Sequence, residues 1–208
     1  MPESQPTDAQ YKEYGGKLFS AECVFILGAA ELKQLPDSTL PEIAFAGRSN
    51  VGKSSLLNAL TRRTALARTS DTPGRTQQLN FFDLSGHLMI VDLPGYGYAR
   101  APKTKVEAWS KVVRAYLMGR PQLRRVCMLI DSRHGIKNND LTVMKDLDEA
   151  AVNFQIVLTK ADKVKETSLA GKVDTVKAEA AKHAAAHPDI IVTSAAKGTG
   201  IADLRAAL

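Results

Sequence analysis

The sequence has 208 residues, 44% of them hydrophobic, which is enough to bury one substantial core and does not require two. Its net charge of +6 is concentrated in residues 47–125, which carry fourteen Lys/Arg against four Asp/Glu, whereas residues 1–46 are acidic and residues 126–208 are balanced. The two cysteines, Cys23 and Cys127, have no neighbouring Cys or His partner, so nothing indicates a disulfide framework or a zinc site, and a reducing cytoplasm is favoured.

The chain begins with a polar leader, residues 1–16, that ends in two glycines, and we expect this leader to be disordered. The apolar run that follows, residues 18–30, contains Glu22 and is too short to span a bilayer, and the leader lacks the basic start of a signal peptide. We therefore expect a strand or helix here, packed on one domain that covers residues 17–208, and a cytoplasmic protein with no membrane insertion.

A phosphate-binding loop is the clearest motif in the chain. Residues 42–46 are mostly apolar and predict a buried strand, and residues 47–54 read Gly-Arg-Ser-Asn-Val-Gly-Lys-Ser, which fits G-x-x-x-x-G-K-[ST] at every fixed position. Residues 55–60 continue as a predicted helix. Strand, loop and helix therefore follow one another in the order that a nucleoside triphosphate site requires, although this motif does not identify the base.

Each fixed position of the loop has a physical role. Gly47 and Gly52 permit backbone conformations in which successive N–H groups and the helix N-terminus point at phosphate oxygens. Lys53 is expected to neutralise the β- and γ-phosphates. Ser54 is expected to offer its hydroxyl to Mg²⁺, which prefers oxygen ligands.

The remainder of the chain predicts a doubly wound α/β sheet. Residues 61–78 have little apolar periodicity and predict a long loop, of the kind that is usually functional or mobile. The predicted strands after this loop span residues 79–84, 88–92, 126–131, 154–159 and 190–192, and the predicted helices span residues 105–118, 139–151, 169–186 and 201–208. Strands that alternate with helices in this way are typical of a largely parallel sheet covered on both faces.

Ligands of such a sheet lie beyond the carboxyl ends of its strands, so the residues at those ends are informative. One strand end reads Asp92-Leu93-Pro94-Gly95. Asp92 can hold Mg²⁺ through a water molecule, and the Gly95 N–H group can reach a γ-phosphate. Taken alone, this segment would be interpreted as a plain turn.

Two further strand ends indicate the base. Asp162, in Thr159-Lys160-Ala161-Asp162, can accept hydrogen bonds from the ring N–H and the exocyclic amine of guanine, a pair of donors that adenine does not offer in that arrangement. The backbone N–H groups of Thr193-Ser194-Ala195 can bind the guanine oxygen. Each segment is a weak indication by itself, but the four motifs in this order and spacing are highly specific for a guanine nucleotide.

With these motifs the chain resembles the EngB (YihA/YsxC-like) family of bacterial ribosome-biogenesis GTPases, within the TrmE-Era-EngA-EngB-septin-like superfamily. The resemblance is carried by residues 47–55, 69–77, 92–99 and 159–162 and covers roughly residues 20–208. It implies a three-layer P-loop NTPase fold of the Ras-like G-domain type, with a mostly parallel sheet and one antiparallel edge strand. It also implies a Mg²⁺-dependent GTPase that acts in late assembly of the large ribosomal subunit and is needed for normal cell division and septation.

The resemblance adds a second loop to the site. It implies that residues 74–78 contact the nucleotide and that Thr76 ligates Mg²⁺ together with Ser54. Lys53, Thr76 and Asn50 are the candidate catalytic residues. The full set of predicted nucleotide-binding residues is Gly47, Arg48, Ser49, Asn50, Val51, Gly52, Lys53, Ser54, Ser55, Gly74, Arg75, Thr76, Gln77, Gln78, Asp92, Leu93, Pro94, Gly95, Thr159, Lys160, Ala161, Asp162, Thr193, Ser194 and Ala195.

Two positions depart from the general GTPase pattern. Thr159 stands where the guanine motif usually begins with Asn, so we expect it to keep a hydroxyl but to lose the amide that ties this segment to the phosphate loop. Tyr96 stands where Ras-like enzymes place the Gln that orients the attacking water. Because an aromatic side chain cannot hydrogen-bond two partners in that way, we expect slow intrinsic turnover, with the missing element supplied from elsewhere.

Asn50 is a candidate for that missing element. It occupies the position that, in related potassium-activated GTPases, holds a monovalent cation against the phosphates, so K⁺ is a candidate cofactor. The alternative, an amide that caps or packs the loop, fits the sequence equally well.

The positive charge of the middle segment suggests the partner. Phosphates account for Lys53 and for Arg48 or Arg75, but not for Arg62, Arg63, Arg100, Lys103, Lys105, Lys111, Arg114, Arg120, Arg124 and Arg125. Such a run is usually a solvated face, but a one-sided excess favours a polyanion such as ribosomal RNA. Tyr96 and Tyr98 either stack on unpaired bases or pack this loop on the sheet.

We therefore expect a monomeric GTP switch whose partners are the large ribosomal subunit or its precursors, through RNA and ribosomal proteins. Two alternatives remain open. One is an ATP-using small-molecule kinase, which shares the phosphate loop but not the guanine motif, and nucleotide competition distinguishes it. The other is a near-inactive GTP-binding scaffold in septation, which turnover measured with and without ribosomal particles distinguishes.

Overall fold

A computed structural model of the chain describes residues 6–64, 66, 78–96 and 103–208, and for residues 103–110 it describes the backbone only. This part of the chain forms a seven-stranded sheet and six α-helices. The strands are β1 (Cys23–Ala29), β2 (Glu42–Gly47), β3 (Leu79–Leu84), β4 (Leu88–Asp92), β5 (Leu123–Asp131), β6 (Phe154–Thr159) and β7 (Ile191–Val192). The helices are α1 (Asp8–Leu18), α2 (Lys53–Thr61), α3 (Lys103–Gly119), α4 (Asn138–Glu149), α5 (Glu166–Ala180) and α6 (Ile201–Ala207).

The strand order in the sheet is β1-β3-β4-β2-β5-β6-β7, and every neighbouring pair from β4 to β7 is parallel. The antiparallel strand is β3, which a tight turn through Ser85 and Gly86, both with positive φ, joins to β4. The predicted fold class, a mostly parallel α/β sheet with helices on both faces, is confirmed. β3 does not itself form the edge of the sheet, because β1 pairs with its outer side.

The alternation of side chains along each strand divides the core into two layers. Ile43 and Phe45 of β2 face a layer that includes α2 and α6. Ala44 and Ala46 face the opposite layer, which includes α3, α4 and α5. Because helices cover both faces, every residue of β2 is buried, which explains why this strand is an almost uninterrupted apolar run.

The prediction of a disordered leader is wrong from Asp8 onward, because helix α1 begins there. A capping box starts the helix: the Thr7 hydroxyl accepts the Gln10 N–H, and the Gln10 side chain accepts the Thr7 N–H. The helix packs on α6 through Gly15, where a Cβ atom would lie 2.5 Å from the carbonyl oxygen of Arg205. The glycine that suggested flexibility therefore allows close packing of two helices.

Helix α5 ends at Ala180, earlier than its alanine-rich sequence predicts. Beyond it, the Ala185 carbonyl accepts the Phe154 N–H at 3.0 Å, and the His187 N–H donates to the Phe154 carbonyl at 2.8 Å. Buried backbone groups at the start of β6 require partners, so this pairing overrides the helical propensity of alanine. None of the helices within the described ranges is long and apolar enough to cross a membrane.

The carboxyl ends of four adjacent parallel strands lie side by side, at Gly47, Asp92, Asp131 and Thr159. Phe45 of β2 pairs with Asp92, and Asp131 pairs with Thr159. The strand-end motifs therefore meet along one edge of the sheet, where open α/β sheets bind their ligands.

Candidate nucleotide-binding site

The phosphate loop leads into the open N-terminal end of helix α2. Gly52 caps this helix with a φ of +104°, a conformation that side chains rarely adopt. Gly47 is closely packed, since a Cβ atom there would lie 2.9 Å from Val51 Cγ1. The N–H groups of the first helical turn have no intrahelical acceptor, so they and the positive end of the helix dipole are available to an anion.

Two N–H groups of the loop already have partners inside the protein. The Ser49 N–H donates to the carbonyl of Tyr96 at 3.0 Å, and the Val51 N–H donates to the carbonyl of Arg48 at 3.0 Å. The donors that remain for phosphate are those around Gly52 and in the first turn of α2.

Lys53 and Asp92 form an ion pair, with 13% and 12% of their side-chain surfaces exposed. The pairing brings the carboxylate at the end of β4 to the helical turn that also carries Ser54. The Asp92 carboxylate therefore holds the charge of Lys53 at the phosphate loop.

The donor set at this point fits Mg²⁺. A hydroxyl and a carboxylate are hard oxygen ligands, and Mg²⁺ typically takes one or two protein oxygens together with substrate phosphates and water. Ser54 and Asp92 meet that requirement. The part of the chain that the structure describes has no cluster of three His, Cys, Asp or Glu residues that would hold a metal without a nucleotide. The second predicted ligand, Thr76, lies outside the described residues.

Arg48 directs its side chain to helix α4. Its Nε lies 3.2 Å from Asp140 Oδ2, and its Nη2 donates to the Gly135 carbonyl at 3.4 Å. This pairing explains the charge of Arg48 without a phosphate.

Asn50 has a φ of +62° and is exposed. Its carbonyl accepts a hydrogen bond from Lys160 Nζ at 2.5 Å. Because asparagine tolerates a positive φ better than most residues, the backbone alone is a reason for Asn at this position. Its role in binding a monovalent cation therefore stays a prediction.

Tyr96 is held through both its backbone and its side chain. Its N–H donates to the Gly47 carbonyl at 3.2 Å, and its hydroxyl donates to Asp140 Oδ1 at 2.8 Å. Burial, reinforced by the Asp140 carboxylate, raises the pKa of Tyr96 well above its usual range, so the hydroxyl remains a donor. The hypothesis that Tyr96 stacks on RNA bases is wrong for this conformation, in which the side chain packs inward. Tyr98 lies outside the described residues.

Thr159 ties the guanine motif to the phosphate loop. Its Oγ1 donates to the Val51 carbonyl at 2.7 Å, and the residue is 3% exposed. The expectation that Thr159 loses the tie is therefore wrong, because a hydroxyl at this strand end is close enough to replace the amide. Such a hydrogen bond contributes about 1 kcal/mol, and its removal leaves a buried carbonyl unsatisfied.

Asp131 lies at the candidate site but is not among the residues that the sequence predicts. Lys160, with a φ of +56°, places its Nζ 3.0 Å from Asp131 Oδ2 while it donates to the Asn50 carbonyl. Arg133 Nη2 lies 2.7 Å from the same carboxylate oxygen. Burial opposes ionisation, but hydrogen bonds from Arg133 and Lys160 hold the pKa of Asp131 well below its usual range. The strand-end rule that located the other motifs applies equally to Asp131 and could have found it.

Asp162 lies in a short 3₁₀ turn, Ala161–Lys163, and its side chain is 12% exposed. The hydroxyl of Ser194 donates to Asp162 Oδ1 at 2.6 Å. This hydrogen bond lowers the pKa of Asp162, so the carboxylate is ionised at neutral pH and can accept two N–H donors from one edge of a base.

The segment 193–195 contributes fewer donors than predicted. The Thr193 N–H donates to the Leu158 carbonyl at 2.7 Å, and the Ser194 N–H donates to the Thr199 carbonyl at 3.0 Å. Of the three N–H groups, that of Ala195 is the one without a backbone acceptor among the described residues, and it is the candidate donor to a guanine oxygen.

A cavity of about 140 Å³ joins these groups. Gly52 and Ser55 line its phosphate side, and Lys160, Asp162 and Ala195 line its base side. The structure therefore brings the phosphate loop and both base-binding segments together, as the strand-end motifs predict.

The remaining predicted nucleotide contacts are residues 74–78 and Leu93. Gly74, Arg75, Thr76 and Gln77 lie outside the described residues, whereas Gln78 directly precedes β3. Leu93 is buried in the core and donates its N–H to the Phe45 carbonyl at 3.0 Å, so its side chain is structural.

Part of the positive charge in residues 47–125 is used inside the protein. Arg120 pairs with the fully buried Glu42 at 2.6 Å, and Arg114 pairs with Glu149 at 2.9 Å. Arg120 therefore does not belong to a nucleic-acid surface. Among the described members of the basic set, Arg62, Arg63, Lys111, Arg114 and Arg124 are exposed. Arg100 and the side chains of Lys103 and Lys105 lie outside the described part of the chain.

Comparison with known proteins agrees with this geometry. The family model for 50S ribosome-binding GTPases matches residues 42–160. A probable GTP-binding protein EngB of Rhodospirillum rubrum is 62% identical over 205 residues, which covers 96% of this chain and 89% of that protein. Its counterpart in Granulibacter bethesdensis is 56% identical over 207 residues, with coverage of 100% and 93%.

Solved structures agree on the fold. The crystal structure of a probable GTP-binding protein EngB superposes with a TM-score of 0.63 at 23% identity and covers 79% of this chain and 94% of that one. The sequence identities of 62% and 56% extend over nearly the whole chain, and the phosphate loop and Asp162 line one cavity. The chain therefore belongs to the EngB family of GTP-binding proteins and is a GTP-hydrolysing P-loop enzyme.

Proposed function

We propose that this GTPase is a Mg²⁺-dependent switch that acts in assembly of the large ribosomal subunit in the cytoplasm, and that its loss impairs cell division and septation. The observation that carries the ribosomal role is the match of residues 42–160 to a family described as 50S ribosome-binding GTPases. The charge of +10 in residues 47–125 supports it, because RNA binding depends on cations that meet phosphates. We propose the division phenotype as a consequence of defective subunit assembly.

GTP binding requires an exchange of partners at the phosphate loop. Asp162 and the Ala195 N–H read guanine, while the first turn of α2 binds the phosphates. Lys53 leaves Asp92 for the phosphate oxygens, which frees the carboxylate. Mg²⁺ bound with the nucleotide would neutralise phosphate charge, and Ser54, Thr76 and Asp92 are the residues that would hold it.

Hydrolysis is expected to be slow in the isolated protein. Water attacks the γ-phosphorus in line as the bond to the bridging oxygen of GDP breaks. The Tyr96 hydroxyl is engaged by Asp140 and therefore does not orient that water. Asn50 is the residue that would hold a monovalent cation, which would supply the missing stabilisation, and a group on the ribosomal particle is the other candidate source.

Co-sedimentation with purified large-subunit particles tests the proposal. Wild-type protein with a non-hydrolysable GTP analogue should sediment with the particles, GDP-bound protein should do so less, and binding should weaken as salt rises. An Asp162→Asn variant is the control, because it should bind particles with a xanthosine triphosphate analogue and not with the GTP analogue. Equal particle binding in GTP analogue, GDP and no nucleotide would contradict a switch.

The alternative of a near-inactive GTP-binding scaffold in septation is favoured by one observation, the engaged hydroxyl of Tyr96. Steady-state turnover with and without particles separates the two functions. Stimulation by particles supports the switch, whereas the same slow turnover in both conditions supports the scaffold.

A further inference from the structure

Asp140 is a fully buried carboxylate that joins three parts of the molecule. Its Oδ1 accepts the Tyr96 hydroxyl at 2.8 Å. Its Oδ2 accepts the Lys137 N–H at 2.8 Å and lies 3.2 Å from Arg48 Nε. The turn after β4, the first turn of α4 and the phosphate loop therefore share one carboxylate, to which the mechanism proposed above gives no role in binding nucleotide.

A carboxylate in the interior holds its partners firmly. Burial of a charge is costly unless cations and hydrogen-bond donors compensate it, and Arg48, Tyr96 and the Lys137 N–H supply that compensation. Moving Tyr96 away would leave a buried oxygen unsatisfied. The Asp140 contact therefore fixes the position of the Tyr96 side chain.

Tyr96 directly follows Gly95, the residue expected to sense the γ-phosphate. The backbone of Tyr96 bonds on both sides to the phosphate loop, to the Gly47 carbonyl at 3.2 Å and to the Ser49 N–H at 3.0 Å. Gly95 lies directly against the loop, since a Cβ atom there would be 3.0 Å from the Ser49 backbone. Within the described part of the chain, the Gly95 N–H itself has no backbone acceptor.

We infer that Asp140 is a positioning residue for recognition of the γ-phosphate: by anchoring the Tyr96 hydroxyl, it sets the Gly95 N–H beside the phosphate loop before the nucleotide binds. The inference rests on the proposed function insofar as Gly95 senses the γ-phosphate. A donor that is already in place loses less conformational entropy when its ligand arrives. The benefit should therefore appear for nucleoside triphosphates and be absent for diphosphates.

The variant that tests this is Tyr96→Phe, which deletes the hydroxyl and keeps the ring. We expect its affinity for a GTP analogue to fall by roughly tenfold, the usual effect of one lost hydrogen bond to a charged group, while its affinity for GDP stays within about twofold of wild type. In single-turnover hydrolysis, the loss should appear in the concentration of GTP required for half-maximal rate. Fluorescent nucleotide titration measures both affinities.

Tyr116→Phe is a matched control. The Tyr116 hydroxyl also donates at 2.8 Å to a fully buried carboxylate, Glu42, which is likewise paired with an arginine, Arg120. This pair lies at the opposite end of β2 from the phosphate loop. The two variants should lose similar amounts of thermal stability, but Tyr116→Phe should leave the ratio of GTP-analogue affinity to GDP affinity unchanged.

Asp140→Glu is a second variant that keeps the charge required by Arg48 but displaces the carboxylate oxygen, and it should lower the same affinity ratio. If Tyr96→Phe and Asp140→Glu fold and neither changes the ratio, or if both nucleotides weaken equally, Asp140 has a structural role and the inference is overturned. The titrations use nucleotides alone, so failure of ribosomal binding would show separately, in the co-sedimentation assay.

Discussion

The nucleotide site has a base end, formed by residues 159–162 and 193–195, and a phosphate end, formed by the phosphate loop, Asp92 and Gly95. The two ends are built in different ways. At the base end, Asp162 already has its Ser194 partner, and Lys160 is already held by Asp131. At the phosphate end, Lys53 is paired with Asp92, and a phosphate would compete with that carboxylate for its charge. The side chains at the base end are therefore held by partners within the protein, whereas Lys53 has a carboxylate partner that competes with phosphate.

This difference separates recognition from signalling. In the proposed function, the base end contacts guanine, which GTP and GDP share, so we expect it to select the base without reporting the nucleotide state. In the proposed function, Lys53 and the Gly95 N–H contact the γ-phosphate, so we expect the response to nucleotide state to begin there. Substitutions at the base end should lower the affinities for GTP and GDP alike, and substitutions at the phosphate end should lower the affinity for the triphosphate.

The largest expected effect is at the base end. Asp162→Asn replaces an acceptor with an amide, so it should lose GTP and gain xanthosine triphosphate, whose base presents an acceptor where guanine presents a donor. Loss of a hydrogen-bonded charged partner costs about 1.5–3 kcal/mol, which is roughly 10- to 150-fold in affinity. GDP should weaken as much as GTP. Equilibrium titration with GTP, GDP and the corresponding xanthosine tri- and diphosphates measures these affinities.

Asp174→Asn on the exposed face of α5 is the control for this change, because it removes the same charge away from the site. Undiminished GTP affinity in Asp162→Asn would show that Asp162 does not read guanine.

The next effect concerns the basic segment that follows Gly95 in the sequence. Replacement of Arg100, Lys103 and Lys105 together by Ala should weaken binding to large-subunit particles and flatten its dependence on salt, since each lost phosphate contact reduces the slope by about 0.9. Nucleotide affinity should barely change. Co-sedimentation across a salt series measures both properties.

Three exposed lysines on or beside α4 and α5, Lys145, Lys165 and Lys177, provide a control of equal charge. If their replacement by Ala reduces particle binding as much as the first set does, net charge explains the effect and no basic face is defined.

A smaller effect is expected for the hydrogen bond from Thr159 to Val51, which connects the base end to the phosphate end. Thr159→Val removes the hydroxyl that reaches the Val51 carbonyl but keeps the shape of the side chain. We expect a loss of about 1 kcal/mol of folding stability and an equal, modest fall in affinity for GTP and GDP. Thr175→Val, which removes an exposed hydroxyl within α5, should cost less. A change confined to GTP would contradict the assignment of Thr159 to the base end.

The smallest effect concerns the monovalent cation. If Asn50 holds K⁺ against the phosphates, hydrolysis should be several-fold faster in potassium than in sodium at equal ionic strength, and Asn50→Ala should abolish that difference while GDP still binds. Asn50→Gly is a useful companion, because glycine tolerates the φ of +62° and so separates loss of the side chain from backbone strain. Equal wild-type rates in the two salts leave Asn50 with its backbone role.

Much of this fold could be predicted because its signals are local. β3, β4 and β6 begin and end at the predicted residues, since each is a short apolar run bounded by polar or turn residues. Phosphate-loop and guanine motifs have a fixed spacing because their residues contact one ligand, so residues 47–54 and Asp162 could be proposed as site residues. Patterns of this kind need no knowledge of distant neighbours.

The errors came from contacts between distant residues. Helix α1 packs on α6 at Gly15, where a side chain would collide with the carbonyl of Arg205, at the other end of the chain. The inward packing of Tyr96 depends on Asp140, on another helix. Asp131 matters because Lys160 reaches it across two strand ends. No pattern in the sequence indicates that Gly15 meets Arg205 or that Tyr96 meets Asp140, whereas the strand-end rule does place Asp131 beside Lys160.

The most direct test of the comparison is a set of equilibrium affinities for GTP analogue, GDP, and the corresponding xanthosine tri- and diphosphates, measured for wild type, Asp162→Asn and Tyr96→Phe. We predict that Asp162→Asn reverses the preference for guanine over xanthine and leaves the triphosphate-to-diphosphate ratio unchanged, and that Tyr96→Phe lowers that ratio and leaves the base preference unchanged. If either variant shifts both quantities together, the two ends of the site do not act independently and the account is contradicted.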